Sequence, residues 1–335
     1  AMDKVLYELG WNYQDKGEAA TGAKYFNRLV QEFPQSSFVG DATYMLAQQQ
    51  YDSADYANSA QTYQAVLSST QDPTLIEKAT YKLGWSHFQQ ERFPQAASSF
   101  QSQVEQAPNG PLAVDALFMR AECDFKQEQF EAAAKGYQAA REKLEASTDT
   151  AASAQVRTLI YLHAAQCFRE LKEWEQCETW LKIVLEQHAE SPYMPTALYE
   201  MGYCKQNQGQ VEEALKYYAE VANNYRDELA ARSRFMMGEV YFSQRDFVKA
   251  IPEFQRVMFG FGGERAPEDI KNWQAKSAFE AARCSEVLLE SLKGNGRQKI
   301  IQTAQEFYNF IVEKHAQHDL AAKAQTRLGD LKKLR

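Results

Sequence analysis

The sequence predicts an all-α solenoid built from stacked helical hairpins, and three observations carry that prediction. The 335 residues repeat themselves with a period of about 37. Inside each repeat, apolar residues recur at helical spacing. No alternating apolar–polar run bounded by an Asn-Gly or Asp-Gly turn appears, so β-structure has no support.

The period is anchored on a small reference residue, first met as Gly10. Its equivalents are Ala47, Gly84, Ala121, Ala165, Gly202, Gly238, Ala282 and Gly329, separated by 37, 37, 37, 44, 37, 36, 44 and 47 residues. Three residues before the reference stand Tyr7, Tyr44, Tyr81, Phe118, Leu162, Tyr199, Phe235 and Phe279. Nine after it stand Ala19, Tyr56, Phe93, Phe130, Trp174, Val211 and Phe247. Twelve after it every residue is small: Gly22, Ser59, Ala96, Ala133, Cys177, Ala214 and Ala250. Sixteen after it come Phe26, Tyr63, Phe100, Tyr137, Leu181, Tyr218 and Phe254.

The first helix of a unit reads from runs such as Val5, Leu6, Leu9 and Tyr13. A polar break follows near Lys16-Gly17, Gln90-Glu91 and Gln208-Gly209. The second helix reads from Phe93, Ala96, Ala97, Phe100 and Val104. Pro34, Pro108 and Pro192 stand between units, where a helix must stop. Small residues on both helices let the two backbones approach, and aromatics fill the space beside them. A hairpin of this kind cannot bury its apolar face alone, so neighbours must stack.

Three spacings are stretched. The excess lies around Ala146-Ser147-Thr148-Asp149-Thr150, around Gly260 to Pro267, and at Lys293-Gly294-Asn295-Gly296, all of turn composition. These read as length variation in loops. The glycine-rich stretch follows no strand and lacks Gly-Lys-Ser/Thr, so it is not a phosphate cradle. Repeat eight loses its small column, and Ile300, Ala304 and Phe307 suggest a re-registered second helix. Leu320 to Leu331 restarts a first helix, either a cap or the end of a longer array cut short. Ala1-Met2 reads as a cloning remnant. Residues 3–291 then hold repeats one to seven and the first helix of repeat eight, and 292–335 the second helix of repeat eight and the terminal helix.

Leu9-Gly10-x-x-Tyr13, Ala96-x-x-x-Phe100, Ala250-x-x-x-Phe254 and the closing Pro34 and Pro108 resemble the tetratricopeptide repeat over about nine-tenths of the chain. The resemblance implies a right-handed superhelix of about eight helix-turn-helix repeats plus a terminal helix. It also implies a non-catalytic scaffold for protein–protein interaction, without a cofactor. Phe33-Pro34-Gln35-Ser36 and Ala197-Leu198-Tyr199-x-Met201-Gly202-Tyr203 resemble bacterial envelope members of the family, of the BamD and CpoB kind. A periplasmic or envelope-associated protein is therefore expected. A cytoplasmic adaptor of the same mechanism and a saccharide- or cell-wall-binding module remain alternatives.

Composition excludes several other functions. Asp plus Glu number 45 against 37 Lys plus Arg, a formal charge of −8, so a basic nucleic-acid binder is not expected. No apolar run reaches the length that spans a membrane. Cys123, Cys167, Cys204 and Cys284 sit two residues after their references, and Cys177 sits in the small column. They read as core hydrophobes, and equivalent positions one repeat apart lie beyond disulfide reach. An odd count without CxxC pairs argues against a metal site or a disulfide framework. His315 and His318 share a helical spacing with only Glu313 or Asp319 near enough for a third ligand, and read as surface side chains. No nucleophile elbow or paired catalytic carboxylates can be placed, and His87, His163 and His188 lie in different repeats.

What remains is the face carried by the first helices, where the resemblance places ligand contacts. The positions three before, one after and four after the reference give Tyr7, Trp11, Tyr44, Tyr51, Tyr81, Trp85, Phe88, Phe118, Phe125, Tyr199, Tyr203, Phe235 and Phe242. Some of these also pack between adjacent helices. As a surface they make an aromatic trough for a peptide or partner protein, since Tyr and Trp offer large contact area at low entropic cost. The Lys/Asn clamp of the chaperone-binding members has no counterpart at the matching positions. Repeats one to three carry the densest lining, so one continuous strip anchored by Trp11 and Trp85 is expected there.

Overall fold

The computed structural model describes residues 2–146, 152–290 and 293–334, and among them the chain is helical with no strand. The first helices of the repeats are α1 (Met2–Asp15), α3 (Val39–Asp52), α5 (Pro73–Gln89), α7 (Ala113–Lys126), α9 (Ala154–Glu170), α11 (Met194–Asn207), α13 (Glu228–Ser243) and α15 (Glu268–Leu289). The second helices are α2 (Ala19–Glu32), α4 (Tyr56–Ser69), α6 (Phe93–Gln106), α8 (Phe130–Ala146), α10 (Trp174–Gln187), α12 (Val211–Asn224), α14 (Phe247–Phe259) and α16 (Gly294–Lys314). A last helix, α17 (Leu320–Lys332), restarts the first-helix pattern as the sequence anticipates. The turn expected at 146–150 lies outside the described residues from Ser147 onward.

The repeat period sets the helix boundaries. From α2 to α14, each second helix begins nine residues after its reference. Two residues earlier the chain is left-handed in all seven repeats, at Gly17, Ala54, Glu91, Glu128, Lys172, Gly209 and Arg245. Only two of these are glycine, so five side chains hold φ near +60° at a steric cost offset by packing on either side. Asp55 and Asp246, one residue further on, accept from the backbone N–H of Asn58 and Lys249 and cap α4 and α14. The stretch at Gly260–Pro267 contains a 3-10 turn, Gly263–Arg265. Lys293-Gly294-Asn295-Gly296 is not a loop insertion throughout: α16 starts at Gly294, because the first turn of a helix leaves its N–H groups unpaired and tolerates glycine.

The hairpin seam explains the reference column. A Cβ at Gly84 would come within 2.7 Å of the Phe100 ring, and one at Gly202 within 2.8 Å of Tyr218. The residue sixteen positions on thus packs its side chain against the reference position. Phe26, Tyr63, Phe100, Tyr137, Leu181, Tyr218 and Phe254 in that column are all fully buried. So are Ser59, Ala96, Ala133, Cys177, Ala214 and Ala250 of the small column. In repeat eight, Tyr308 on the longer α16 takes the ring position, edge-on to Phe279 with centroids 5.5 Å apart.

Two compact units follow one another along the chain, Ala1–Gln176 and Cys177–Arg335. In the first, consecutive helices from α1 to α9 pack in sequence, and first helices also touch one another, α3 with α5 and α7 with α9. In the second, α11 to α17 pack in the same way, with α13 in contact with both α11 and α15, and α15 with α17. First helices therefore share one side of each unit.

Candidate functional site

Each repeat builds its share of that side from the same parts. In repeat one, Tyr7 and Trp11 meet edge to face at 6.3 Å, and both stand edge-on over Phe26. In repeat three, Tyr81 and Trp85 do the same at 6.4 Å over Phe100, and Phe88 extends the cluster at 5.7 Å from Trp85. The buried ring orients the tyrosine and tryptophan above it. Trp11 keeps 38% of its surface exposed, and Tyr7, Tyr81, Trp85 and Phe88 are half-buried. Repeat two has Tyr44 over Tyr63, and Tyr51 against Tyr56, with the Lys82 ammonium 5.3 Å from the Tyr51 ring.

In repeats one to three these ring pairs lie within repeats, and Tyr7 also stacks at 4.6 Å on Phe38, the residue before α3. Among the described residues no ring pair joins the first-helix aromatics of repeats one, two and three, so the expected continuous strip is a row of separate clusters. Between repeats two and three a lysine, not an aromatic, meets Tyr51.

Where the buried ring is tyrosine, its hydroxyl demands an acceptor. Tyr63 donates to Gln48 Oε1 at 3.0 Å, Tyr137 donates to Glu122 Oε1, and Tyr218 donates to Gln206 Oε1 at 2.9 Å. Gln48 and Glu122 occupy the position where repeats one and three hold Trp11 and Trp85. Repeat seven breaks the match. Glu239 stands in the same position, but the ring beneath it is Phe254, which has no hydroxyl. Its Oε1 is buried without a hydrogen-bond partner. Burial, reinforced by Glu280 and opposed by Arg283, pushes the Glu239 carboxyl up to about 7.

Glu122 gains a second partner, His163 Nδ1 on α9, at 2.5 Å. The imidazole lies between the faces of Phe118 and Phe125, with centroids 6.1 and 5.7 Å away and interplanar angles of 28° and 15°. A neighbouring carboxylate and two aromatic faces therefore hold one orientation of the ring.

The second unit carries cations on its first-helix side. The Arg232 guanidinium sits 4.6 Å from the Tyr199 ring and 5.7 Å from Trp273, and Lys276 sits 4.5 Å from the same indole. Trp273 packs on Phe235 at 5.2 Å and donates its N–H to Glu228. Among the described residues, neither Arg232 nor Lys276 has a carboxylate within ion-pair distance, and Arg232 Nε is buried without a partner. Phe242 lies against Phe247, with the Arg283 guanidinium 5.1 Å from its ring.

The structure thus distributes the thirteen candidate aromatics unevenly. Phe118 at 5% and Tyr199 at 2% exposure belong to the core and offer almost no surface. Phe125, Tyr203, Phe235 and Phe242 are half-buried. Glu122, His163, Arg232, Trp273 and Lys276 were not anticipated as part of this side. Arg232 and Lys276 carry a readable signal: they stand six before their references, one helical step from the aromatic column, as do Lys4, Asp41, Lys78 and Asp115.

His315 and His318 are half-buried rather than surface side chains. His318 is occupied on both ring nitrogens: the Leu320 N–H donates to Nδ1 at 3.1 Å, and Nε2 lies 3.0 Å from Asn272 Oδ1. Its role is to tie the start of α17 to α15. No group of three or more metal-ligating side chains occurs among the described residues. All five cysteines are buried, as expected. All five are reduced thiols, and one pair meets across unlike positions: by register Cys204 faces Cys177 as Ser86 faces Ser59, whose hydroxyls are 3.0 Å apart. Equivalent positions of successive repeats are indeed apart, but the small column of one repeat meets the position two after the reference in the next.

Tetratricopeptide-repeat family models match residues 4–36 and 196–227, and a second such model matches 81–152. No curated protein matches in sequence. Among solved structures, the chain is similar to the C-terminal part of a tetratricopeptide repeat-containing protein from Cytophaga hutchinsonii, with a TM-score of 0.59 and 12% identity over 84% of this chain and 98% of that one. It is also similar to the apo form of RapI, with a TM-score of 0.57 and 12% identity over 93% and 82%. A tetratricopeptide repeat protein from Parabacteroides merdae ATCC 43184 gives a TM-score of 0.50 and 14% identity over 82% and 98%. These likenesses concern the fold. They show an all-helical solenoid, within which the three matched stretches are similar to tetratricopeptide repeats. No helix among the described residues is long and apolar enough to cross a membrane.

Proposed function

We propose that this chain is a non-catalytic scaffold that binds a protein or peptide partner on the side carried by its first helices, in the bacterial cell envelope. The observation that carries the binding reading is the pair of equivalent clusters Tyr7–Trp11 and Tyr81–Trp85–Phe88. Each presents an oriented indole beyond the ring that already fills the seam. Large, rigid aromatics of this kind dominate binding energy where a partner covers them. The envelope reading rests on the sequence phrases around Pro34 and Tyr199.

The test compares Trp11→Ala and Trp85→Ala with Trp174→Ala, which alters the start of a second helix, in binding to a partner recovered from the native organism. Removing an anchor costs about 2 kcal/mol, roughly thirtyfold in Kd. Variants of Trp11 and Trp85 that stay folded and bind like the parent would refute the reading.

The second unit adds a preference for acidic segments. Two cations without carboxylate partners share the Trp273 indole, and a partner carboxylate between them relieves their mutual repulsion. Arg232→Met with Lys276→Met is expected to slow association and flatten its salt dependence. An unchanged salt dependence would sink this part.

A further inference from the structure

Cys177 opens the second unit on α10, and Cys204 lies on α11, the first helix of the following repeat. Their contact follows from the repeat register. The small column of one repeat falls opposite the position two after the reference in the next. In repeats two and three the same two places hold Ser59 and Ser86, whose hydroxyls are 3.0 Å apart with both residues fully buried. In repeats five and six they hold two cysteines, both fully buried. Neighbouring side chains close the same seam: Glu178 accepts from Lys205 Nζ at 2.8 Å and from Gln208 Nε2 at 3.0 Å.

We propose that Cys177 and Cys204 are a covalent cross-link site, joined as an intramolecular disulfide by thiol–disulfide exchange with a small-molecule disulfide. The bond ties the second helix of one repeat to the first helix of the next.

The other three thiols are internal controls. By the same register Cys123, Cys167 and Cys284 fall opposite Ala96, Ala133 and Ala250, so none has a sulfur to pair with. Burial pushes each of them up to about 12, which leaves no thiolate to react. Cys204 differs, because the hydrogen bond from Cys177 outweighs burial and holds its thiol below the ordinary range.

The exchange balances as follows. The Cys204 thiolate attacks one sulfur of the small disulfide, breaking its S–S bond and releasing one small thiolate. The Cys177 thiolate then attacks Cys204 Sγ in the mixed disulfide and releases the second. The two protein thiols are oxidised by two electrons in total, the small disulfide is reduced to two thiols, and the two protons leave on them. Neither sulfur is exposed, so the oxidant enters through local opening of the α10–α11 seam, and opening sets the rate. Formation in an oxidising compartment and absence in a reducing one makes the bond a record of where the protein resides.

The experiment uses the full chain, oxidised glutathione as the probe, and a low concentration of urea chosen by amide exchange of α10 and α11 so that the seam opens. The expected product is lighter by roughly 2 Da, the two hydrogens lost. After complete unfolding, three of its five cysteines still titrate with a thiol reagent. A non-reduced digest links Cys177 to Cys204, and the oxidised chain melts on the order of 5 °C above the reduced one. Cys177→Ser is expected to fold, since Ser59 occupies the equivalent place, and to end as a glutathione adduct on Cys204. A disulfide between any other pair, an adduct on Cys204 of the parent while Cys177 remains alkylatable, or no oxidation once exchange shows the seam open would each overturn the proposal.

Discussion

Two glycines of the reference column are expected to respond oppositely to the same substitution. An added Cβ at Gly84 would stand 2.7, 2.8 and 2.9 Å from three carbons of the Phe100 ring. Carbon atoms normally approach to about 3.5–4.0 Å, so the overlap is roughly 1 Å. Phe100 is fully buried and supports Tyr81 at 5.7 Å and Trp85 at 6.4 Å, so it cannot retreat without displacing the cluster above. Overpacking of this kind costs about 1–3 kcal/mol, against a gain of about 1 kcal/mol for alanine over glycine in a helix. A net loss of about 1 kcal/mol is the expectation for Gly84→Ala. Gly329, the last member of the column, lies on α17 with nothing within 4 Å of its would-be Cβ. Gly329→Ala therefore keeps the whole helical gain, about 1 kcal/mol of added stability. Urea denaturation followed by helical circular dichroism measures both, and the two midpoints should move in opposite directions. If Gly84→Ala moves the midpoint upward as Gly329→Ala does, the ring-on-backbone account of the repeat period is wrong.

Glu239→Gln tests the orphaned carboxyl. A group held at about 7 when folded, against 4.5 ordinarily, binds its proton more tightly in the native state, so parent stability falls as pH rises from about 4.5 to about 7. With a discount for the solvent that still reaches it, the variant should gain about 1–2 kcal/mol on the parent between pH 5 and pH 7.5. A difference between the two proteins that does not change with pH would contradict this. Ser59→Cys with Ser86→Cys moves the seam pair into repeats two and three. In the oxidised full chain, a digest should then show a second linkage between residues 59 and 86, and its absence would show that register alone does not place the sulfurs.

The helical architecture was legible because period and packing are the same fact here. A residue laid every 37 positions against the same neighbour leaves one column per contact. The small reference, the small second-helix column and the ring sixteen positions on were therefore readable without coordinates. The turns were legible only in part. Gly17 and Gly209 announce a left-handed residue, while Ala54, Glu91, Glu128, Lys172 and Arg245 adopt the same conformation without announcing it. Propensity is overruled there by two helices that must already pack.

The candidate site divides the same way. Which residues lie on the first-helix side follows from helical spacing, so Trp11, Trp85 and their neighbours could be named from the sequence alone. Which of them still present surface could not, because exposure is decided by neighbours from other repeats, and Phe118 and Tyr199 are covered while Trp11 is not. The same limit hid every contact between unlike columns. Glu122 with His163 spans 41 positions, and Arg232 meets rings from both adjoining first helices. A period reveals what recurs, so it determined the hairpin, its seam and its exposed side. Pairings that occur once are set by the stagger of one repeat on the next, a three-dimensional quantity that only the folded chain contains.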